Sequence, residues 1–317
     1  MNTELKNAVK AADLKAQYDA RVKRLVGHKR ILAQILIKTV DEFKGMNPKA
    51  VAGCIEGTPY ISAIPVEPGL TNAVLDRNGQ RIVGFNTENQ EINEGLARFD
   101  IVFYVRTKDG LSQIIINVEA QKSFYPGYHI ETRGIFYAAR MLSAQLGTEF
   151  AIPNYQNLKK VYSIWICMNA PNYIGNAISE YKIAKEDIIS GIPDNVEAYD
   201  KLSVIMICLN QKKEDQTNDS FLKMMNLLLN SHISAKEKKK ILQTDYHIPM
   251  TIRLGEELNF MCNLSDLLEE EVLNRKETEI VLKMIAQGLS DETIMECVTI
   301  SKERLMQIKN SQNLNTK

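Results

Sequence analysis

Apolar positions follow three kinds of pattern along the chain. Over residues 3–44, Leu25, Leu32, Ile35, Leu36, Val40 and Phe43 recur at three- and four-residue spacing, which predicts helix with one apolar face. From 45 to 75 that rhythm dissolves among Pro48, Gly53, Gly57, Pro59, Pro65 and Pro68, a composition that predicts mostly loop. Asn78-Gly79 marks a hairpin turn with Gln80–Phe85 as its second strand. Strand formers then fill Leu96–Val105 and Leu111–Gln121, with Lys108-Asp109-Gly110 as the turn between them. Residues 128–147 are helical in pattern and end at Gly147, a residue suited to a C-cap. Val161–Met168 and Val204–Leu209 are almost wholly apolar, as strands buried on both faces require, and the first follows a helix as a parallel crossover strand does. Hairpin, helix and buried strand in that order predict an α/β (α+β) fold, a mixed β-sheet core flanked by helices, over residues 1–212.

Beyond the polar stretch Asn210–Ser220, a linker by composition, residues 213–317 read as an all-helical extension. Ser234 precedes AKEKKKILQ, Thr251 precedes IRLGEELNFMC, and Ser265 opens a helical segment running to about Gln287. Gly288-Leu289-Ser290 breaks it, and two short helices follow with Ser290 and Ser301 as N-caps. The stretch 282–309 has the rhythm of a helix-turn-helix, with Lys302, Arg304 and Lys309 toward DNA. A plain helical hairpin is the other reading. Leu268, Val272, Ile280 and Met284 also supply the apolar surface of an oligomerisation helix, hence of a homodimer.

Composition narrows the classes of function. With 44% hydrophobic residues among 317, the chain can bury a full core. Its 39 basic residues equal its 39 acidic ones, so a phosphate-binding surface must be a local basic patch. The first 30 residues hold eight Lys/Arg against three Asp/Glu, either a solvated helix face or a DNA-contacting arm. No apolar run approaches the roughly 18–20 residues that span a bilayer. The polar start lacks a signal-peptide core. Five cysteines without a CxxC and four isolated histidines disfavour both a disulfide framework and a zinc site. The expectation is a reduced, cytoplasmic protein whose metal, if any, sits on oxygen.

The second strand of the hairpin carries candidate chemistry. Ile114, Ile116, Val118 and Ala120 alternate with Asn117, Glu119 and Gln121, so an amide, a carboxylate and a second amide share one face. If Asp109-Gly110 is a two-residue turn, opposed residue numbers add to 219. Asp100 then faces Glu119, Val102 faces Asn117 and Arg98 faces Gln121, with opposed Cβ atoms about 4.5–5.5 Å apart. Two carboxylates so placed repel unless a cation separates them. A hard divalent ion such as Mg²⁺, taking oxygen ligands at about 2.1 Å, fits that gap. A three-residue turn would carry Asp100 to the other face. Edge charges that face solvent or pair with Arg98 are the competing reading.

Arg98-Phe99-Asp100-Ile101, then Glu119-Ala120-Gln121, then a helix with Arg133 and Tyr137, resemble the PD-(D/E)xK nuclease superfamily. The chain is most similar to its branch of recombination-promoting nucleases and transposases. The resemblance runs from about residue 20 to 210 and includes NTENQEINEG (86–95) and YSIWICMN (162–169). It implies a restriction-endonuclease-like core. It also implies a Mg²⁺-dependent (or other hard divalent cation-dependent) DNA endonuclease, with Asp100 and Glu119 as metal ligands. Gln121 stands where most of the superfamily has lysine, and Phe99 where the family name has proline. Arg98, Lys122, Arg133, Tyr137 and Arg140 are the expected phosphate and DNA contacts, and Glu42 is the candidate first-helix acid. A nuclease-fold protein that grips DNA or a partner without cutting is the alternative.

Overall fold

The buried runs of the sequence assemble into one six-stranded sheet. The computed structural model describes residues 17–18, 20–61, 72–75, 81–84, 88–91, 95–98, 100–107, 113–121, 127–147, 149–212, 217–230 and 232–313. The sheet has the order β1 (Tyr60–Ile61), β6 (Ile101–Arg106), β7 (Gln113–Gln121), β8 (Val161–Cys167), β10 (Leu202–Cys208), β9 (Ala177–Lys182). β1, β6 and β7 pair antiparallel, β7, β8 and β10 pair parallel, and β9 closes the far edge antiparallel. The expected mixed sheet with a parallel crossover is therefore the observed one, and every residue of β8 is buried.

Two further ladders lie outside that sheet. β2 (Asn72–Leu75) pairs with β3 (Arg81–Gly84), the hairpin expected around Asn78-Gly79, and β4 (Glu88–Glu91) pairs with β5 (Gly95–Arg98). The single strand expected over Leu96–Val105 is thus two. It is interrupted between Arg98 and Ile101, where Asp100 sits in a bend. Arg98 pairs with Glu88, which replaces the expected pairing with Gln121.

The N-terminal helix is also divided. Residues 20–26 form α1, the chain breaks at Gly27-His28, and α2 (Lys29–Thr39) restarts with the His28 side chain accepting from the Arg30 N–H. A Cβ on Gly27 would lie 2.8 Å from Ile61 Cδ1 and 3.0 Å from the Lys23 carbonyl oxygen, so any larger residue here must displace Ile61 or the helix. Proline-rich 45–75 is not all loop, because Pro48 occupies the first turn of α3 (Pro48–Cys54), where its missing N–H costs nothing, and Asn47 caps it.

The crossover helix α4 (Ile130–Ser143) ends four residues before Gly147, with Ala144 as its C-cap. It lies close on the sheet at Gly134, where an added Cβ would be 2.7 Å from Val204 Cγ1 and 2.9 Å from Trp165 Nε1. α5 (Val196–Tyr199) is a single turn before β10. α6 (Ser220–Leu229) follows with Asp219 as N-cap, and α7 (Ala235–Thr244) with Ser234. Lys238 of α7 is fully buried and donates to the carbonyls of Leu228 and Asn230, closing the end of α6.

The chain divides into two compact units, with boundaries between Arg21 and Val22 and between Glu257 and Leu258. α8 (Ile252–Ala286) is one helix of 35 residues, continuous through Ser265, where a new start was expected. Its end packs with α9 (Asp291–Val298) and α10 (Lys302–Asn313) around Val281, Ile294, Leu305 and Ile308. There Arg304 binds Glu277 and Asn274, and Lys309 binds Asp291 at 2.5 Å. Two of the three cations expected to face DNA are thus held by neighbouring polar groups. Among the described residues no helix is long and apolar enough to cross a membrane.

Candidate functional site

Residues opposed across a β-ladder share a face of the sheet, so the registers sort the site. The antiparallel ladder runs from Ile101↔Val118 and Val102↔Asn117 to Arg106↔Gln113. Every pair adds to 219, the register expected of the hairpin. Continued one step before Ile101↔Val118, the same register would set position 100 opposite position 119, although Asp100 itself lies in the bend outside the ladder. In the parallel ladder position 119 is matched with Trp165, and position 121 with Cys167. Asn117, Glu119 and Gln121 therefore occupy the face that carries Ser163, Trp165, Val204 and Met206, the face covered by α4 at Gly134.

Over this face α4 carries a cation boxed by aromatic rings. The Arg133 guanidinium stands 5.3 Å from the Trp165 ring centroid, 4.8 Å from that of Tyr137 and 5.7 Å from that of Tyr128. It donates to Tyr137 Oη at 2.6 Å and to Tyr128 Oη at 2.7 Å. Ring quadrupoles attract the cation, and the two hydroxyls fix the plane of its fork. Tyr137 is itself buried and tilted against Trp165, with ring centroids 5.5 Å apart. Trp165 donates its indole N–H to Ser163 Oγ at 2.9 Å. Tyr128 is 48% exposed, so the box opens to solvent on its side.

Asp100 lies in the bend that separates β5 from β6, largely buried, with its Oδ1 in an ion pair with Lys23 of α1. The sequence reading did not identify Lys23 as a site residue. Its only signal was membership of the basic helix face, and the acid it meets is far along the chain. The donor set that Asp100, Glu119 and Gln121 present by position is all oxygen, the chemistry of a hard divalent cation. A carboxylate has two oxygens and about four lone-pair sites, so the lysine on Oδ1 is compatible with a metal ligand. Among the described residues no three His, Cys, Asp or Glu side chains gather as a metal-binding cluster. The side chains of Glu119, Gln121 and Arg98, and the whole of Lys122, lie outside the described residues.

Two expected residues are placed elsewhere. Glu42 accepts from Tyr162 Oη at 2.8 Å. Tyr162 is matched with Ile116 and Ser203, on the other face of the sheet from position 119, so Glu42 does not join Asp100 and Glu119. Arg140 is on α4 with Arg133 and Tyr137, but it is 3% exposed and lies by the Phe136 ring. That burial withdraws it from contact with a phosphate, and it serves instead in the packing of α4.

A mixed sheet with a parallel crossover and acidic positions toward the open end of its hairpin is the architecture of metal-dependent nucleases of the restriction-endonuclease type. A sequence model of the PD-(D/E)XK nuclease family transposases matches residues 68–302, well over half of the chain, and the chain belongs to that family. The match runs through the linker and most of the helical extension. No curated protein and no solved structure matches the chain.

Proposed function

We propose that the chain hydrolyses phosphodiester bonds of DNA, as an endonuclease that uses a divalent cation such as Mg²⁺. The observation that supports this reading is the hairpin register, whose continuation one step past Ile101↔Val118 would set positions 100 and 119 opposite each other on the face where Arg133 sits. Asp100 and Glu119 would hold the cation, which when bound polarises the scissile phosphate and makes its water a nucleophile. Gln121, an amide, cannot take a proton as a base; it orients the attacking water by accepting a hydrogen bond. Arg133, held in its aromatic box, offers its fork to a phosphate oxygen. Lys23 holds the Asp100 carboxylate in place and brings a positive charge that Gln121 lacks. Five free cysteines support a reducing compartment, the cytoplasm, as the place of action.

A second reading has its own observation. An Asp100 already neutralised by Lys23 needs no metal, which supports a protein that grips DNA without cutting it. The two are separated by nicking of supercoiled plasmid with Mg²⁺, with EDTA, and with Asp100→Ala and Glu119→Ala. The nuclease reading expects nicking by the wild type alone and only with metal. Equal nicking by all three proteins, or tight DNA binding with no nicking, would sink it.

A further inference from the structure

Within the larger unit, away from the Arg133 box, α1, α2, α3, the segment before β1 and the start of α8 enclose a cleft of about 430 Å³. Among the described residues five cations line it, Arg24, Lys29, Arg30, Lys49 and Arg253, against one carboxylate, that of Glu257. In a chain whose formal charge is zero, this concentration is local. Like charges gathered around a concave site repel one another unless an anion enters, and low-dielectric walls focus their field into the cleft. Lys29 is half-buried and gives one N–H to the Ile55 carbonyl at 2.7 Å, and burial holds its pKa below the ordinary lysine value. His28, at the same wall, is held below its usual pKa by burial and then by Arg30 and Arg253, with Glu257 opposing. Both groups gain from a negative charge beside them.

The cleft adjoins the acidic site through one helix. Gly27, in its wall, touches Ile61 of β1; Ile61 pairs with Ile101, the residue after Asp100; and Lys23, which binds Asp100, lies one turn before Gly27. Four residues of helix rise about 6 Å. We propose that this cleft is a phosphate-binding site that seats a nucleotide phosphate of the DNA strand, one that is not the phosphate being cut. The proposal rests on the nucleic-acid reading above for its ligand, and on the cation cluster for its chemistry. Arg24, Arg30, Lys49 and Arg253 bind the phosphate oxygens, and Pro59 and Ile61 supply an apolar wall for the attached sugar.

The test uses the full chain in EDTA, so that binding is measured without cutting. Single-stranded oligonucleotides with a 5′-phosphate and with a 5′-hydroxyl are titrated by filter binding across a salt series, and a nucleoside 5′-monophosphate is titrated by calorimetry. Arg30→Gln/Lys49→Gln/Arg253→Gln changes half-buried or exposed side chains only. It is expected to bind about tenfold or more weakly, with the slope of log K against log salt reduced by about 0.7 for each phosphate no longer neutralised. Glu257→Gln is expected to bind at least twofold more tightly, a gain that unfolding cannot produce. Preference for the 5′-phosphorylated strand would assign the cleft to a strand end, and equal binding to an internal phosphate; either supports the site. Unchanged affinity and slope in the triple variant, with Glu257→Gln also unchanged, overturn it. Should the wild type nick plasmid while these variants bind as it does, the cleft proposal fails and the nuclease reading stands. Should the variants lose binding in a protein that never nicks, the nuclease reading fails and the cleft stands.

Discussion

The two faces of the central sheet are built to different ends. One carries Ile101, Phe103 and Val105 of β6, Tyr162, Ile164 and Ile166 of β8, and Ile205 and Ile207 of β10, each no more than 1% exposed. Among the described residues its acids serve hydroxyls at its margins, Glu42 accepting from Tyr162 Oη and Glu180 of β9 from Ser203 Oγ. The other face mixes Val102, Val204 and Met206 with Ser163, Trp165 and the positions of Asn117, Glu119 and Gln121, under a helix that carries Arg133. The same strands β6, β8 and β10 supply both, and β7 adds the polar positions of the second. What the difference teaches is that the apolar face fixes the register, since a slip of one residue would exchange the two sets. The fixed register in turn aligns the polar positions. Stability on one side is thus the means of precision on the other.

That division can be broken or sharpened by substitution. Ile164→Ala, on the apolar face, should lower the unfolding free energy by about 2–5 kcal/mol while leaving nicking per folded molecule unchanged, measured by denaturant titration beside the plasmid assay. Gly134→Ala pushes a methyl into Val204 and Trp165 and should cost about 1–3 kcal/mol. Because α4 must lift, its nicking should also fall, which joins the two properties the first variant separates. Arg133→Gln removes the boxed cation and should reduce nicking about tenfold, roughly 1.4 kcal/mol in the barrier, with the thermal midpoint little changed. If it lowers the midpoint as much as Gly134→Ala does, the box is structural.

The smallest effect concerns a helix outside both faces. Asp219 caps α6 and pairs with Lys38. Burial pushes its pKa up, but the Lys38 hydrogen bond, the Leu222 and Phe221 N–H groups and the Lys38 charge together hold it below the usual carboxylate value. A depressed folded pKa adds stability above the unfolded value, about 3.9, and loses it as pH falls through the folded one. Asp219→Ala should therefore cost about 1 kcal/mol at pH 7. The gap to wild type should narrow in denaturant titrations taken below about pH 4.

Much of the scaffold was legible because its signals are local. The apolar runs gave β8 and β10, Asp109-Gly110 gave a register that the ladder keeps, and Ser234 and Ser290 cap the helices expected of them. What escaped depends on contacts remote in sequence. Asp100 is the one turn-forming residue in an otherwise strand-rich run, too weak a mark to show that β5 ends before β6 begins. β9 is largely exposed and charged, and lacks the apolar run that a buried strand shows. Arg140 shares its helix with Arg133, and only the depth of α4 on the sheet at Gly134 separates the buried cation from the one over Trp165. Arg133 and Tyr137 were visible as an i, i+4 pair. Trp165 was not, because its place beside position 119 follows from a ladder between strands some 40 residues apart.

Trp165 is the only tryptophan in the chain. Its indole lies under the Arg133 guanidinium and next in register to position 119, so the protein's tryptophan emission originates at the site itself. A divalent ion arriving at the neighbouring acids, or a phosphate drawing the guanidinium off the ring, would alter the field across that indole. Occupancy of this site can therefore be followed optically in the unmodified chain.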